Sequence, residues 1–431
     1  MNWSREVGTI VLSLVIPGLV FGIQIYLLRK TQARMKQAQP GRAWLRHLVA
    51  VPFVVFNLAL IVLIVFRFRT HAFPRWVLDI GLYPFFFWHG STIFIGLVLG
   101  LWNLLILPLR LMARAVRLIP TARSRIASLQ EHHTYRRFDA SRRRFLQRSA
   151  YGVAAASFGG AAYGMTIGRS GHEITEAEFP ITGLPREFDG FTIALISDIH
   201  SGAFMSREDM TEYARLVNGL HADMIAVPGD FVNANVREIA PFAEAFSALQ
   251  APSGVFGVLG NHDYYTGSPD IVAREVTSCG IRVLRNESIE VRKNGASLCI
   301  LGVDDVGRYP TASMLMDQAA ASAPSGTSRI LLCHRPYFLQ EAAERDIGLV
   351  LSGHTHGGQV VFGRFGNTVI APARIASPYI WGKYRINDSH MYVSRGVGTV
   401  GLPVRINCPP EITRITLRSH EEPSRGEQPA R

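Results

Sequence analysis

Five polar blocks, each closing an apolar run, follow one another along the second half of this 431-residue chain. They are Asp198-Ile199-His200, Gly229-Asp230, Gly260-Asn261-His262-Asp263, His334 and Gly353-His354-Thr355-His356. Alone, an Asp-x-His or a single histidine is most often a turn cap or a satisfied core residue. The runs before these blocks change that weighting. Phe191 to Ser197, Asp223 to Pro228, Gly254 to Leu259, Arg329 to Cys333 and Ile347 to Leu351 are short, mostly apolar and partly β-branched, the pattern of buried strands in an α/β domain. Such sheets place their sites outside strand ends. The pattern therefore predicts five strands aimed at one crevice, where aspartate, histidine and one asparagine form a donor set for hard-to-borderline divalent cations. Two cations that share a carboxylate can activate water and stabilise a transferring phosphoryl group, which makes dinuclear metal-dependent hydrolysis the chemistry expected.

The ordered set, spanning about Phe188 to Leu417, resembles the calcineurin-like metallophosphoesterases. Within that family, Gly353-His354-Thr355-His356-Gly357-Gly358-Gln359, Ser394-Arg395-Gly396-Val397-Gly398 and Pro409-Pro410-Glu411-Ile412 resemble a branch of membrane-attached or twin-arginine-exported bacterial phosphohydrolases. Some members of that branch hydrolyse nucleotide-linked or lipid-linked phosphate esters. The resemblance implies an α/β fold, a four-layer α/β/β/α sandwich, and a ligand set carried over position by position. One metal falls to Asp198, His200, Asp230 and His356, and the second to Asp230, Asn261, His334 and His354. A carboxylate is the sound choice for the shared ligand, because a neutral imidazole cannot bridge two cations. His262 is implied as the catalytic residue facing the leaving oxygen, with Asp263 orienting its ring. Asn233 stands where many relatives carry Asp, at a position that is not a ligand. Mixed O/N ligation suits Mn, Fe or Zn, and the six-coordinate sites expected for the family favour Mn. Asp304 and Asp305, at the end of a further apolar run from Cys299 to Val303, read equally as residues at the rim of the site and as a turn-forming pair, while Arg335, Tyr264 and Tyr265 adjoin ligands and are candidates to contact phosphate or a leaving group.

Charge divides the chain. Residues 1–150 hold 21 Lys plus Arg against 4 Asp plus Glu, whereas the remainder holds 24 against 29. The overall net charge of +12 thus belongs to the first third. A mildly acidic catalytic portion repels a phosphate backbone, so no nucleic-acid partner is expected. The basic third is built from long uncharged stretches: Thr9 to Leu28, Leu48 to Phe66, Ile80 to Leu109 and Ala150 to Gly168. The first two suffice to cross about 30 Å of hydrocarbon at about 1.5 Å per residue. The third is longer than needed, with Pro84 and Pro108 as candidate breaks. His89, within it, reads as a packing histidine.

The loop from Arg29 to His47 carries six Lys plus Arg and no acid, Arg67 to Asp79 carries three Arg and one Asp, and Arg110 to Arg148 carries eleven Arg against Glu131 and Asp139. The positive-inside rule then predicts four spans with the first and third of these loops cytoplasmic. Ser141-Arg142-Arg143-Arg144-Phe145-Leu146-Gln147 resembles a twin-arginine export motif, which would make the twin-arginine translocase a partner. An ordinary positive-inside anchor gives the same topology. The organisation expected is a membrane region over 1–168, a phosphoesterase domain over 169–417 and a disordered tail over 418–431, at the outer face of a bacterial inner membrane. Membrane lipids and a phosphate ester are the expected partners. Substrate alternatives are a general phosphodiester, a nucleotide-linked glycolipid and a polyprenyl-type lipid phosphate. The competing class is a non-catalytic metal-binding sensor or scaffold, which the complete ligand set together with His262 argues against. The four cysteines, Cys279, Cys299, Cys333 and Cys408, form no zinc-binding pattern.

Overall fold

A computed structural model describes residues 3–65, 75–305, 309–324, 326–366 and 368–420. It divides into two compact units, Met1–Tyr163 and Gly164–Arg431.

The first unit is helical. Helices Trp3–Ala38, Ala43–Val65 and Tyr83–Leu105 pack together around Leu27, Phe53 and Ile95. Between them the buried Gln24 amide donates to the Thr92 hydroxyl at 2.6 Å and accepts from the Trp88 indole at 3.3 Å. His89 is buried, with Nδ1 3.0 Å from the Phe85 carbonyl, as a packing histidine would be. Among the described residues two stretches, Ala43–Ile64 and Ile80–Leu105, are long and apolar enough to cross a membrane. These overlap two of the four expected spans, Leu48 to Phe66 and Ile80 to Leu109. Thr9 to Leu28 lies in the 36-residue helix Trp3–Ala38, which runs on through the basic loop. Most of Ala150 to Gly168 lies in His133–Met165, which begins in the arginine-rich segment. The uncharged stretch Ile80 to Leu109 is not one element. A π-helical turn, Leu78–Leu82, precedes Tyr83–Leu105, and a separate helix, Leu107–Val116, follows. Pro84 and Pro108 each sit in the first turn of the new helix, where the missing N–H costs nothing. Phe66 and the loop residues up to 74 lie outside the described residues.

The second unit is an α/β sandwich of two six-stranded mixed sheets. One sheet contains β1 (Glu173–Thr182), β2 (Thr192–Leu195), β3 (Met224–Val227), β4 (Val255–Gly257), β5 (Arg282–Val283) and β14 (Glu411–His420), in the order β1-β14-β2-β3-β4-β5. The other contains β6 (Glu287–Lys293), β7 (Ala296–Val303), β8 (Ser328–Cys333), β9 (Leu349–Ser352), β12 (Gly382–Ile386) and β13 (Ser389–Val393), in the order β12-β13-β9-β8-β7-β6. A small hairpin, β10 (Gly363–Phe365) and β11 (Thr368–Ile370), stands apart.

Alternation along the strands explains the layering. In β3, Met224 and Ala226 face the core between the sheets, while Ile225 and Val227 face the helices Arg207–Asn218, Ile239–Phe246 and Pro269–Ser278. In β8, Ile330 and Leu332 point to the shared core, and Leu331 and Cys333 to the helices Tyr309–Ala321 and Leu339–Ala343. Strands apolar on both faces are what the uninterrupted hydrophobic runs require. β2, β3, β4 and β5 are mutually parallel, as are β7, β8, β9 and β13, so within each sheet these strands end on one rim.

The domain does not end at Leu417. β14 continues to His420, pairing Arg418, Ser419 and His420 with Pro180, Ile181 and Thr182, so these three residues are strand and not tail. Residues 421–431 lie outside the described residues.

Candidate metal centre

Every predicted block sits just past a strand end. Asp198 and His200 follow β2, Asp230 follows β3, Asn261 to Asp263 follow β4, His334 follows β8, and His354 and His356 follow β9. Five of these residues hold their backbone in the left-handed region: Asp198 at φ 53°, His200 at 50°, Asp230 at 57°, His354 at 74° and His356 at 50°. For residues with a Cβ such conformations cost about 1–3 kcal/mol each and persist where surrounding contacts enforce them, typically at functional sites. Gly260 and Gly396 supply the required closeness. A Cβ on Gly260 would lie 2.2 Å from Asp230 Oδ1, and one on Gly396, itself at φ +64°, 2.5 Å from Asp198 Cβ.

The ligand atoms of Asp198, His200, Asp230 and His356 all lie within 4.8 Å of one another, and all four residues are buried. Asp230 Oδ2 is 3.3 Å from His200 Nε2 and 3.1 Å from His334 Nε2. His356 Nε2 is 3.5 Å from Asp198 Oδ1 and 3.0 Å from His200 Nε2. His334 Nε2 in turn lies 3.2 Å from His354 Nδ1. The Asp230 carboxylate is thus central to two groups of imidazoles. Two more carboxylate contacts fix the geometry: the His354 amide donates to Asp198 Oδ1 at 2.9 Å, and the His262 amide to Asp230 Oδ1 at 2.9 Å. The second ring nitrogen of His334 is held 2.8 Å from the Pro228 carbonyl, which presents Nε2 to Asp230.

Electrostatics follow from burial and crowding. Burial pushes His200 well below its ordinary value, His354 down to about 2 and His356 down to about 4, with neighbouring cationic groups adding to the shift of each. Burial alone would raise the Asp230 carboxyl, but His334, His200 and His262 outweigh it and hold it well below the usual range. Burial would likewise lower His334, yet Asp230 brings it up to about 10. His200, His354 and His356, neutral beside an ionised carboxylate, are metal-ready donors, and a cation would displace the proton that Asp230 holds on His334.

The residues fit a divalent cation on structural grounds. Asn261 Oδ1 is buried without a hydrogen-bond partner, and the Nε2 atoms of His200 and His356, which face the carboxylates, meet at 3.0 Å. An orphaned amide oxygen and converging imidazole nitrogens are costly in a dry site unless a cation accepts their lone pairs.

The two catalytic candidates are placed differently from each other. His262 lies against the cluster, its ring edge-on to His200 with centroids 4.5 Å apart. Its Nδ1 is engaged by the backbone carbonyl of Asn233, which takes the orienting role expected of Asp263. Asp263 is buried and accepts from the amides of Gly260 at 2.8 Å, Asp230 at 3.0 Å and Val232 at 3.2 Å. It ties the β3 and β4 loops together, and burial with the nearby Asp230 charge pushes its carboxyl up to about 8.

Among the rim candidates, Arg335 pairs with Asp305 through Nε at 2.8 and 2.9 Å and sends Nη1 to within 3.4 Å of His354 Nε2. Asp304 instead pairs with Arg285, which also reaches Tyr264. One group escaped the sequence reading, and one residue of a quoted motif acquires a role. Arg405 is fully buried and donates to the carbonyls of Arg395, Gly396, Gly398 and Cys408, pinning the loop that packs Gly396 on Asp198. Glu411 accepts from the Arg395 amide at 2.9 Å and pairs with its guanidinium at 3.2 Å.

The calcineurin-like phosphoesterase family model matches residues 191–358, from β2 through the histidine block after β9. An uncharacterized metallophosphoesterase of Bacillus subtilis, YkuE, is 30% identical over 294 residues, 65% of this chain and 98% of that protein. An uncharacterized metallophosphoesterase of Aquifex aeolicus is 36% identical over 52% of this chain and 83% of its own length. A Danio rerio transmembrane protein with metallophosphoesterase domain is 32% identical over 60% of each chain. The chain spans between 52% and 60% of the length of the animal relatives it matches.

Substituting Gly396→Ala should therefore drive a methyl into Asp198. The expected result is a lower urea midpoint, by about 1–3 kcal/mol of stability from left-handed strain alone, together with weakened Mn²⁺ binding in calorimetry. An unchanged midpoint and affinity would show that this loop does not fix Asp198.

Proposed function

The chain belongs to the calcineurin-like metallophosphoesterases, and from that premise we propose that it is a dinuclear metal-dependent phosphohydrolase of a bacterial inner membrane, cleaving a phosphodiester or pyrophosphate of amphiphilic, lipid-linked type. The observation that carries this reading is the position of Asp230: one carboxylate oxygen lies within 3.3 Å of His200 and 3.1 Å of His334, between two sets of buried donors. Asp198, His200, Asp230 and His356 would hold one cation, and Asp230, Asn261, His334 and His354 the other. When bound, two such cations supply Lewis-acid charge to the phosphoryl oxygens and lower the pKa of water at the site. The protein's own residues supply the rest. With Nδ1 turned to the Asn233 carbonyl, His262 offers Nε2 to a leaving-group oxygen and can deliver a proton there. The Arg335 guanidinium, held by Asp305 beside His354, is placed to bind a non-transferring phosphate oxygen. Asp198, His200, Asp230, Asn261, His334 and His356 are buried, which strengthens each charge interaction at the proposed cation sites.

Membrane attachment supports the choice of substrate. Two helices able to cross a bilayer exceed what tethering needs, and a site held near a surface meets lipid-borne esters at high local concentration. The orientation we propose places the basic segment Arg110 to Arg148 in the cytoplasm and the catalytic domain outside, with four spans and twin-arginine export.

Two outcomes are expected. Asp230→Ala should abolish turnover and most bound metal, measured by elemental analysis, whereas His262→Ala should retain both metals and lose kcat by on the order of 10²–10⁴-fold. Near-normal turnover in a metal-replete His262→Ala protein would remove that residue from the reaction. For topology, a reporter fused after His420 should read as extracytoplasmic and one near Ser124 as cytoplasmic; the same side for both would contradict the proposed orientation.

A further inference from the structure

The hairpin β10–β11 is inserted directly after the histidine block, and its two faces differ. On the inner face Val369 is buried in a cluster with Val361, Ala371, Ile380 and Cys408. Cys408 Sγ donates to the carbonyl of His356 at 3.2 Å, and a Cβ on Gly358 would lie 2.7 Å from Ala371 Cβ. Arg364, opposite Val369 in the pairing, places its guanidinium 5.2 Å over the Trp381 ring, which is also covered by Arg395 at 5.4 Å. The hairpin is therefore packed, through this cluster, against the loop that carries His354 and His356.

The outer face is apolar and uncovered. Phe365 is 72% exposed and Ile370 44%, on the same face by the Phe365↔Thr368 and Gly363↔Ile370 register. Phe362, whose amide donates to the Ile370 carbonyl, is 60% exposed, and Ile375, in the turn Pro372–Ile375 that follows, is 94% exposed. Scattered apolar side chains on a domain surface need no explanation, but two phenylalanines and two isoleucines gathered on one insertion do. Charge narrows the partner. From Gly357 to Ile386 the cations are Arg364, Arg374, Lys383 and Arg385, with no Asp or Glu, although the chain after residue 150 is net acidic; Arg385 pairs with Asp388 just beyond, which leaves Arg364, Arg374 and Lys383 as the charge beside the hairpin.

We propose that this hairpin and the adjoining turn are a membrane-docking surface: Phe362, Phe365, Ile370 and Ile375 insert at the interface of a bilayer, and the flanking cations meet anionic lipid headgroups. The inference holds whichever phosphate ester is cleaved. It assigns to the β10–β11 insertion the task of setting the metal centre at the lipid surface, which spans joined to the domain through a chain segment do not by themselves accomplish. An apolar rim without acids suits lipid better than a protein partner, whose interfaces combine apolar contact with paired polar groups.

The test uses the full chain in nanodiscs of phosphatidylcholine with and without phosphatidylglycerol. A nitroxide is placed at Phe365→Cys in a Cys279→Ser background, since the other three cysteines are buried. A second label at Glu208→Cys, on the helix Arg207–Asn218, serves as the aqueous reference. Oxygen and nickel-chelate accessibility should report the Phe365→Cys label immersed in lipid in the anionic discs and the Glu208→Cys label in water. Adding Arg374→Glu should reduce the immersion in anionic discs towards that in phosphatidylcholine alone. A Phe365→Cys label as water-accessible as the reference in anionic discs would overturn the proposal, and immersion indifferent to both lipid charge and Arg374→Glu would overturn its electrostatic half. Neither readout requires turnover, so a failure here is distinct from failure of the proposed reaction.

Discussion

The buried carboxylate of Asp230 is the interaction on which the site depends. It lies at the end of β3, in the middle of the sheet that also supplies Asp198, His200 and Asn261, and it faces His334 from the other sheet. An isolated carboxylate so deeply buried would neutralise by taking up a proton. Here the surrounding imidazoles and the His262 amide keep it ionised. Much of the nearby architecture serves that arrangement. Asp263 laces the β3 and β4 loops through three backbone amides, Gly260 permits their close approach, and the left-handed backbone at five donor positions turns side chains inward that a regular strand would alternate outward.

The same logic extends outward through Arg405. A fully buried guanidinium bonded chiefly to main-chain carbonyls shapes the loop from Arg395 to Gly398, and that loop packs on Asp198. Glu411 completes the support from β14, the strand that closes the first sheet against both β1 and β2. Ligand positions are thus set by contacts between segments far apart in the chain, which lets five separate strand ends hold one geometry.

What the sequence makes legible is local. Apolar runs that end in polar clusters mark β2, β3, β4, β8 and β9 to within two residues, because strands buried on both faces leave a continuous hydrophobic signal. The same order of blocks identified the family and the residues that converge. What escaped is relational. That Asn233 offers its carbonyl to His262, in place of the expected Asp263 carboxylate, depends on how two loops cross and carries no side-chain signature. Arg405 looked like any surface arginine until its carbonyl partners were in place. The extent of the final strand to His420 follows from pairing with β1, since Arg418, Ser419 and His420 are polar and resemble a tail. Likewise the uncharged stretch from Ile80 to Leu109 offers no hydropathy signal of its division, which the backbone chemistry of Pro84 and Pro108 supplies.

The central claim, that Asp230 is shared by two cations, is tested most directly by anomalous diffraction from Mn²⁺-loaded crystals of the full chain. Two peaks are expected roughly 3.5–4 Å apart, one beside Asp198, His200 and His356 and the other beside Asn261, His334 and His354, with Asp230 between them. A single peak at the Asp198, His200, Asp230 and His356 cluster, under saturating metal, would contradict it.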